Sequence, residues 1–202
     1  MTHTTLPETP VTRITQAASR CFARKGYSGT AIVDIEREAG YSPGAGGIYR
    51  HFASKRAVLE AVIDSAVDTN ETMIDEMRSA ALPPGVKIPP ERIAEFIVRR
   101  ALGELDKQAE LFQIVFRDLD QFPDLVVKVR DGLANATVAL ARGLAASNPS
   151  IDAEALAVVA VGPTIDFKIK QHMLGFTPLD ISEERFIAAW VRIFTPLYAG
   201  AL

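Results

Sequence analysis

The sequence holds one cysteine, Cys21, and three histidines, His3, His51 and His172, among 202 residues. A lone thiol excludes an internal disulfide and any multi-cysteine zinc or iron–sulfur site. The histidines lie too far apart for a metal pair of the His-x-x-x-His kind, so neither a metal nor a cofactor is expected. The longest charge-free apolar stretch runs from Ala155 to Ile165, well short of the roughly 18–20 residues that span a bilayer. Met1 to Pro10 is polar, carries two prolines and lacks the apolar run of a signal peptide. It reads as a flexible arm (residues 1–10) on a soluble cytoplasmic protein with no membrane partner. No alternating strand pattern exceeds four residues, and there is no internal repeat. Glycine-rich phosphate loops, His/Cys clusters and paired acids on a conspicuous loop are also missing. No catalytic residues are therefore assigned, and an all-α enzyme is the weaker of the rival readings.

Apolar residues make up 48 % of the chain, near the globular average of about 45–50 %, so it can bury a core. The formal net charge is −3, which by itself speaks against a nucleic-acid protein, since such domains are usually basic. The distribution says otherwise. Residues 1–56 carry eight basic side chains (Arg13, Arg20, Arg24, Lys25, Arg37, Arg50, Lys55, Arg56) against four acids, whereas residues 57–202 carry 14 against 21. A basic head on an acidic body suits a head that meets a polyanion.

Helical periodicity dominates. Ile14, Ala17, Ala18, Cys21 and Phe22 form one face of a helix from about Val11 to Lys25, stopped by Gly26. Cys21 lies in that stripe and reads as a core residue. Thr30 is the expected N-cap of a second helix, Ala31 to Ala39, with Ile32 and Ile35 inward and Asp34, Glu36, Arg37 and Glu38 mostly outward. After Gly40, Ser42 and Pro43 read as the cap and first residue of a third helix carrying Ile48, Tyr49 and Phe52. Ser54 caps a fourth, continuing through Val58, Leu59, Val62, Ile63 and Val67 to about Ala80. Three short helices, the second and third joined at a glycine, describe a helix-turn-helix unit over residues 11–56, its third helix the groove reader. Residues 57–80 form the connecting helix.

Leu82 to Pro90, with four prolines and a glycine, breaks the chain. Residues 81–202 then read as a helical bundle. Helices are expected at Glu91–Asp106, Ala109–Phe122, Pro123 to about Asn148, Ala153–Leu174 capped by Asp152, and a last one capped by Ser182. Gly162-Pro163 is expected to kink the long apolar helix. The fold class is all-α, about nine helices in total.

The head resembles the DNA-binding domain of the TetR family of transcriptional regulators. The matching residues are Phe22-Ala23-Arg24-Lys25-Gly26-Tyr27, Thr30 to Ile35, Ala39-Gly40-Tyr41-Ser42-Pro43-Gly44, Ile48-Tyr49-Arg50-His51-Phe52 and Ser54-Lys55. In the body only Arg117-Asp118-Leu119 to Phe122-Pro123 and the helix count resemble the family. The resemblance implies a homodimer on a palindromic operator in double-stranded DNA, acting as a repressor relieved by a small ligand in the body. It implies phosphate contacts from Thr30 and Lys55. Ser42, Pro43, Gly44 and Ala45 approach DNA around the turn, and Tyr49, Arg50 and His51 contact backbone or bases. Ser42, Thr30, Tyr49 and Lys55 are side-chain types that donate to phosphate oxygens.

One departure stands out. Ala45-Gly46-Gly47 is about two residues longer than the shorter form of the family's turn. Two extra helical residues rotate a face by about 200°. The third helix must then start later, near Gly47, or carry a bulge, and glycine permits both and a close backbone approach to DNA. Each glycine costs an ordinary helix roughly 1 kcal/mol against alanine, so double alanine replacement is expected to raise stability while changing operator affinity. A head disabled by the insertion is the second rival reading, a helical interaction module.

In the body, Phe96, Phe112, Phe116 and Phe167, with His172 as a polar contact, are the candidates to line a pocket for a small apolar or aromatic effector. Val158, Trp190 and Phe194, on two helices with broad apolar surfaces, are the candidates for a four-helix dimer interface.

Overall fold

The computed structural model describes residues 9–79 and 88–198; the arm up to Glu8 and most of the proline-rich break lie outside the described residues. Among the described residues there are eight α-helices and no strand. They are α1 (Pro10–Gly29), α2 (Ile32–Glu38), α3 (Lys55–Ser79), α4 (Pro90–Lys107), α5 (Ala109–Asp118), α6 (Pro123–Ser147), α7 (Ala153–Ile169) and α8 (Glu183–Tyr198). None is long and apolar enough to cross a membrane.

The chain divides into two compact units. The first takes the head up to Val67 together with Glu110–Val129; the second takes Asp68–Ala109 and Arg130 onward. The division therefore falls within α3 and within α6. In sequence, α5 belongs to the body; in space it packs with the head.

In the first unit α1 buries the expected stripe: Ile14, Ala17, Ala18, Cys21 and Phe22 are at most 2 % exposed. Burial also pushes the Cys21 thiol up, which suppresses the reactive thiolate. Gly26, at φ 75° and ψ 166°, breaks helical geometry where the sequence stops the helix. Ser54 caps α3 by accepting from the Ala57 amide at 3.1 Å, and Val58, Leu59, Val62 and Ile63 are buried.

Two expectations about caps fail. The N-cap of α2 is Ala31, whose amide donates to Asp34 Oδ2 at 3.0 Å. Thr30 instead turns its hydroxyl inward, where its single O–H is shared between Gly26 O (2.7 Å) and Cys21 O (3.1 Å) beside the α1 break. Ser42-Pro43 opens a turn, not a helix: the Ala45 amide donates to Ser42 O, and the only helical residues that follow before α3 are a 3₁₀ turn, Ile48–Arg50. Tertiary partners override the capping preference in the first case, and glycine in the second.

In the second unit, the core joins Ala94, Val98 and Leu102 of α4 to Ala157, Ala160 and Phe167 of α7 and to Ile187, Trp190, Phe194 and Leu197 of α8. The Trp190 indole donates to Ala160 O at 2.9 Å. Asp152 and Ser182 cap α7 and α8 through the Ala155 and Arg185 amides. α7 continues as helix through Gly162-Pro163. Its irregularity comes later, in a π-helical turn at Lys170–Leu174 ended by Gly175 in the left-handed region.

Candidate nucleic-acid interface

The segment between α2 and α3 carries the sequence-predicted DNA residues, and its geometry is set by glycine. Gly40 (φ 76°) ends α2, and Gly44 (φ 82°) and Gly46 (φ 68°) lie in the same left-handed region. At such angles a Cβ crowds the neighbouring carbonyl, which is why the chain uses glycine there. Gly47 is crowded for a different reason: a Cβ on it would stand 3.1 Å from Tyr41 Cδ1, tighter than ordinary contact. Replacing Gly46 and Gly47 by alanine is therefore expected to lower stability, not raise it, because neither residue sits in an ordinary helix. The long turn absorbs the extra residues, and the expected third helix shrinks to the single turn Ile48–Arg50. Ile48 (0 % exposed) and Phe52 plug this turn into the core, and Tyr49 N donates to Gly46 O at 3.1 Å.

Sequence reasoning missed Glu36. It is 1 % exposed, not outward, and its Oε2 accepts from the Gly44 amide at 2.6 Å while Oε1 has no partner. A carboxylate reaching across the turn fixes the left-handed Gly44 from beneath. The available signal was its spacing: Glu36 follows Ile32 by four residues and precedes Ala39 by three, so it shares the buried face of α2.

Around this base, Ser42, Pro43, Gly44, Ala45, Tyr49, Arg50 and His51 are exposed, Tyr49 at 57 %, and Gly46 and Gly47 are half-buried. Thr30, 1 % exposed, does not join them; its hydroxyl is already committed to α1. Lys55 does lie at the rim. Its ammonium donates to Tyr27 O (2.8 Å) and Thr30 O (2.9 Å) and sits 4.3 Å from the centre of the Tyr27 ring. Of its three donors, two tie α3 to the link between α1 and α2, leaving one for an anion.

The head's charge excess is more localised than the sequence indicates. Glu38 pairs with both Arg20 and Arg24 at 2.8 Å, and hydrogen bonds from Arg24 and then Arg20 hold its carboxyl below the usual range. Asp34 pairs with Lys25 and Arg37 and is likewise lowered, chiefly by Lys25. Arg56 pairs with Asp124. Among the described residues this leaves Arg13, Arg50 and Lys55 as the head's cations without a carboxylate partner. Arg50 belongs to the 3₁₀ turn, Lys55 opens the helix after it, and Arg13 stacks on Tyr41, the ring that touches Gly47.

The first unit also joins the head to the α5–α6 corner. Arg117 donates to Ala23 O and Arg24 O at 3.0 and 3.1 Å, and Asp118 accepts from the Tyr27 amide at 2.9 Å. Gly26 has no room for a side chain: a Cβ would lie 3.0 Å from Arg117 and 3.2 Å from Asp118. Phe122 meets the Tyr27 ring edge-on at 4.8 Å. Lys128 bridges Glu60 and Asp64 of α3.

Residues 14–62 match the model for bacterial regulatory proteins of the tetR family. The head thus carries the DNA-binding domain of that family. Over 117 residues it is 27 % identical to the HTH-type transcriptional repressor AcnR of Corynebacterium glutamicum, covering 58 % of this chain and 61 % of AcnR. It is 37 % identical over 59 residues to the HTH-type transcriptional regulator TtgR of Pseudomonas putida, covering 29 % of this chain and 27 % of TtgR. The match thus spans about three-fifths of AcnR's length and about a quarter of TtgR's. The fold is shared with the transcriptional regulator FadR from Bacillus subtilis, solved in complex with stearoyl-CoA, at a TM-score of 0.65, 17 % identity, and coverage of 93 % and 97 % of the two chains.

The body residues distribute differently from expectation. Phe112, 4 % exposed, and Phe116, 61 % exposed, belong to the first unit, while Phe96, Phe167 and His172 belong to the second. Phe96 lines an open groove of about 460 Å³ with Ile88, Arg92, Ile93, Glu95 and Arg99. Phe167 stacks on Phe186 at 4.6 Å and is 2 % exposed, packed in the core of the second unit. His172 Nε2 is 2.7 Å from Asp106 Oδ1. Asp106 shares a buried ammonium, Lys168, with Glu183. Of the dimer candidates, Val158 is 62 % exposed, but Trp190 and Phe194 are 4 % and 6 % exposed and stacked on each other at 4.4 Å in the core. The large exposed apolar residues of α7 and α8 are Val158, Val159 and Ile193.

Proposed function

We propose that this chain is a ligand-responsive transcriptional regulator, a repressor in the cytoplasm, whose homodimer docks the turns 42–50 of its two heads on a palindromic operator. The observation that carries the reading is the coincidence of two independent features. The head's three cations without a carboxylate lie at or beside the turn that also carries the exposed Tyr49 and His51. Phosphate contacts from Arg50, Lys55 and Ser42 would supply affinity and register, and Tyr49, Arg50 and His51 would reach base edges. Gly44 to Gly47 lets backbone approach the duplex closely.

The test is selection of bound fragments from genomic DNA, followed by affinity at two salt concentrations. Retention of one specific site, with binding that falls steeply with salt, is the expected result. Weak, sequence-blind binding would favour a helical interaction module instead. No residue is assigned a catalytic role.

Dimerisation is assigned to α7 and α8 through Val158, Val159 and Ile193, which leave apolar surface in water. Trp190 and Phe194 support that face from behind. The double variant Val158→Glu, Ile193→Glu is expected to sediment as a folded monomer, because charges on a two-fold patch meet their own copies; a persisting dimer would place the interface elsewhere. The effector is a small apolar or aromatic molecule. Its signal would reach the head along α6, which continues covalently into the corner that clamps Gly26 and Tyr27.

A further inference from the structure

We propose that Arg13, on α1 and ahead of the α2–turn segment in the chain, binds a phosphodiester of the DNA backbone, and that Tyr41 is its positioning residue. The proposal rests on the regulator reading above. Arg13 is exposed and has no carboxylate partner among the described residues, whereas Arg20 and Arg24, further along α1, are both held by Glu38. Its guanidinium carbon lies 4.9 Å from the centre of the Tyr41 ring. The same ring packs so closely on Gly47 that a Cβ there would meet it at 3.1 Å. Arg13, Tyr41 and Gly47 are thus one stack, and the cation rides on the turn that faces DNA.

The chemistry suits a phosphate. A guanidinium stacked on an aromatic face keeps its planar fork of N–H donors free at the edge, and its weak hydration lowers the cost of transfer to an anion. Two parallel N–H bonds to phosphate oxygens need that fork held in one plane, and the ring supplies the plane. Such a contact adds affinity and register without reading sequence.

The experiment measures operator affinity as a function of salt for the full chain and its variants. Arg13→Gln is expected to weaken binding about 10-fold and to lower the slope of log affinity against log salt by about one per subunit. Arg13→Lys keeps the slope, since the charge remains, but loses several-fold in affinity with the fork. Arg20→Gln, at a cation already paired, leaves the slope unchanged. Tyr41→Phe behaves as wild type, whereas Tyr41→Leu weakens binding in the wild-type background and not in the Arg13→Gln background, the signature of a residue acting through another. A wild-type slope in Arg13→Gln overturns the assignment while leaving the regulator reading intact. A further loss from Tyr41→Leu on top of Arg13→Gln overturns the positioning role. A wild-type protein without salt-dependent DNA binding removes both readings together.

Discussion

Replacing Gly46 and Gly47 together by alanine is expected to lower stability by about 1–3 kcal/mol and to weaken operator binding about 100-fold or more. Helix propensity alone gives the opposite sign for stability, a gain of roughly 1 kcal/mol per glycine in a helix interior. Geometry decides between the two. Gly46 sits at φ 68°, where an alanine methyl crowds the following carbonyl. At Gly47 the new methyl stands 3.1 Å from the Tyr41 ring, which is tighter than ordinary contact. Tyr41 is half-buried and can yield by a few tenths of an ångström, but yielding shifts the ring under Arg13 and the 3₁₀ turn that follows. Tyr49 and Arg50 ride on that turn, and losing two base or phosphate contacts at about 1–3 kcal/mol each accounts for the drop in affinity. Denaturant unfolding and fluorescence anisotropy on the selected operator check the two halves. A stabilised double variant that binds DNA as tightly as wild type would show that the turn is an ordinary helix start.

The second large effect is expected in the body. Lys168→Ala should cost about 3 kcal/mol of the second unit's stability, near the low end of the range for breaking a buried pair. The Lys168 side chain is 2 % exposed and bridges Asp106 at 2.7 Å and Glu183 at 2.6 Å. Removing it leaves two carboxylates and His172 around a void without their cation. Asp106 and Glu183 keep 42 % and 39 % of their exposure, so water relieves part of the repulsion and the larger values in the range do not apply. Adding Asp106→Asn and Glu183→Gln to the lysine variant should recover most of the loss, since the unpaired charges, and not the missing methylenes, dominate it. Thermal unfolding followed by circular dichroism measures both. Failure of the triple variant to recover would assign the effect to packing.

What the sequence made legible was local. The α1 stripe, the stops at Gly26, Gly40 and Gly175, and the caps Ser54, Asp152 and Ser182 depend on residues within one or two turns of each other. What it hid was tertiary. Thr30 has the chemistry of a cap, yet its hydroxyl turns to the carbonyls of Gly26 and Cys21. Glu36 looks like a solvated acid until the turn brings the Gly44 amide over it. On α4 the buried row is Ala94, Val98 and Leu102, which pushes Phe96 out to 59 % exposure. Periodicity announced that α8 has an apolar face but not what covers it; Trp190 and Phe194 turned out to be covered by their own chain. The +4 excess of the head was legible, but its confinement to Arg13, Arg50 and Lys55 needed the ion pairs of Glu38 and Asp34.

The central claim, that the glycine-built turn is the surface that meets DNA, is tested most directly by titrating the isotope-labelled protein with its selected operator and following backbone amide shifts. The largest changes should fall on Gly44, Ala45, Gly46, Tyr49 and Arg50, with smaller ones at Lys55 and Arg13. Changes confined to α4, α7 and α8, with the 42–50 amides unmoved at saturating operator, would contradict it.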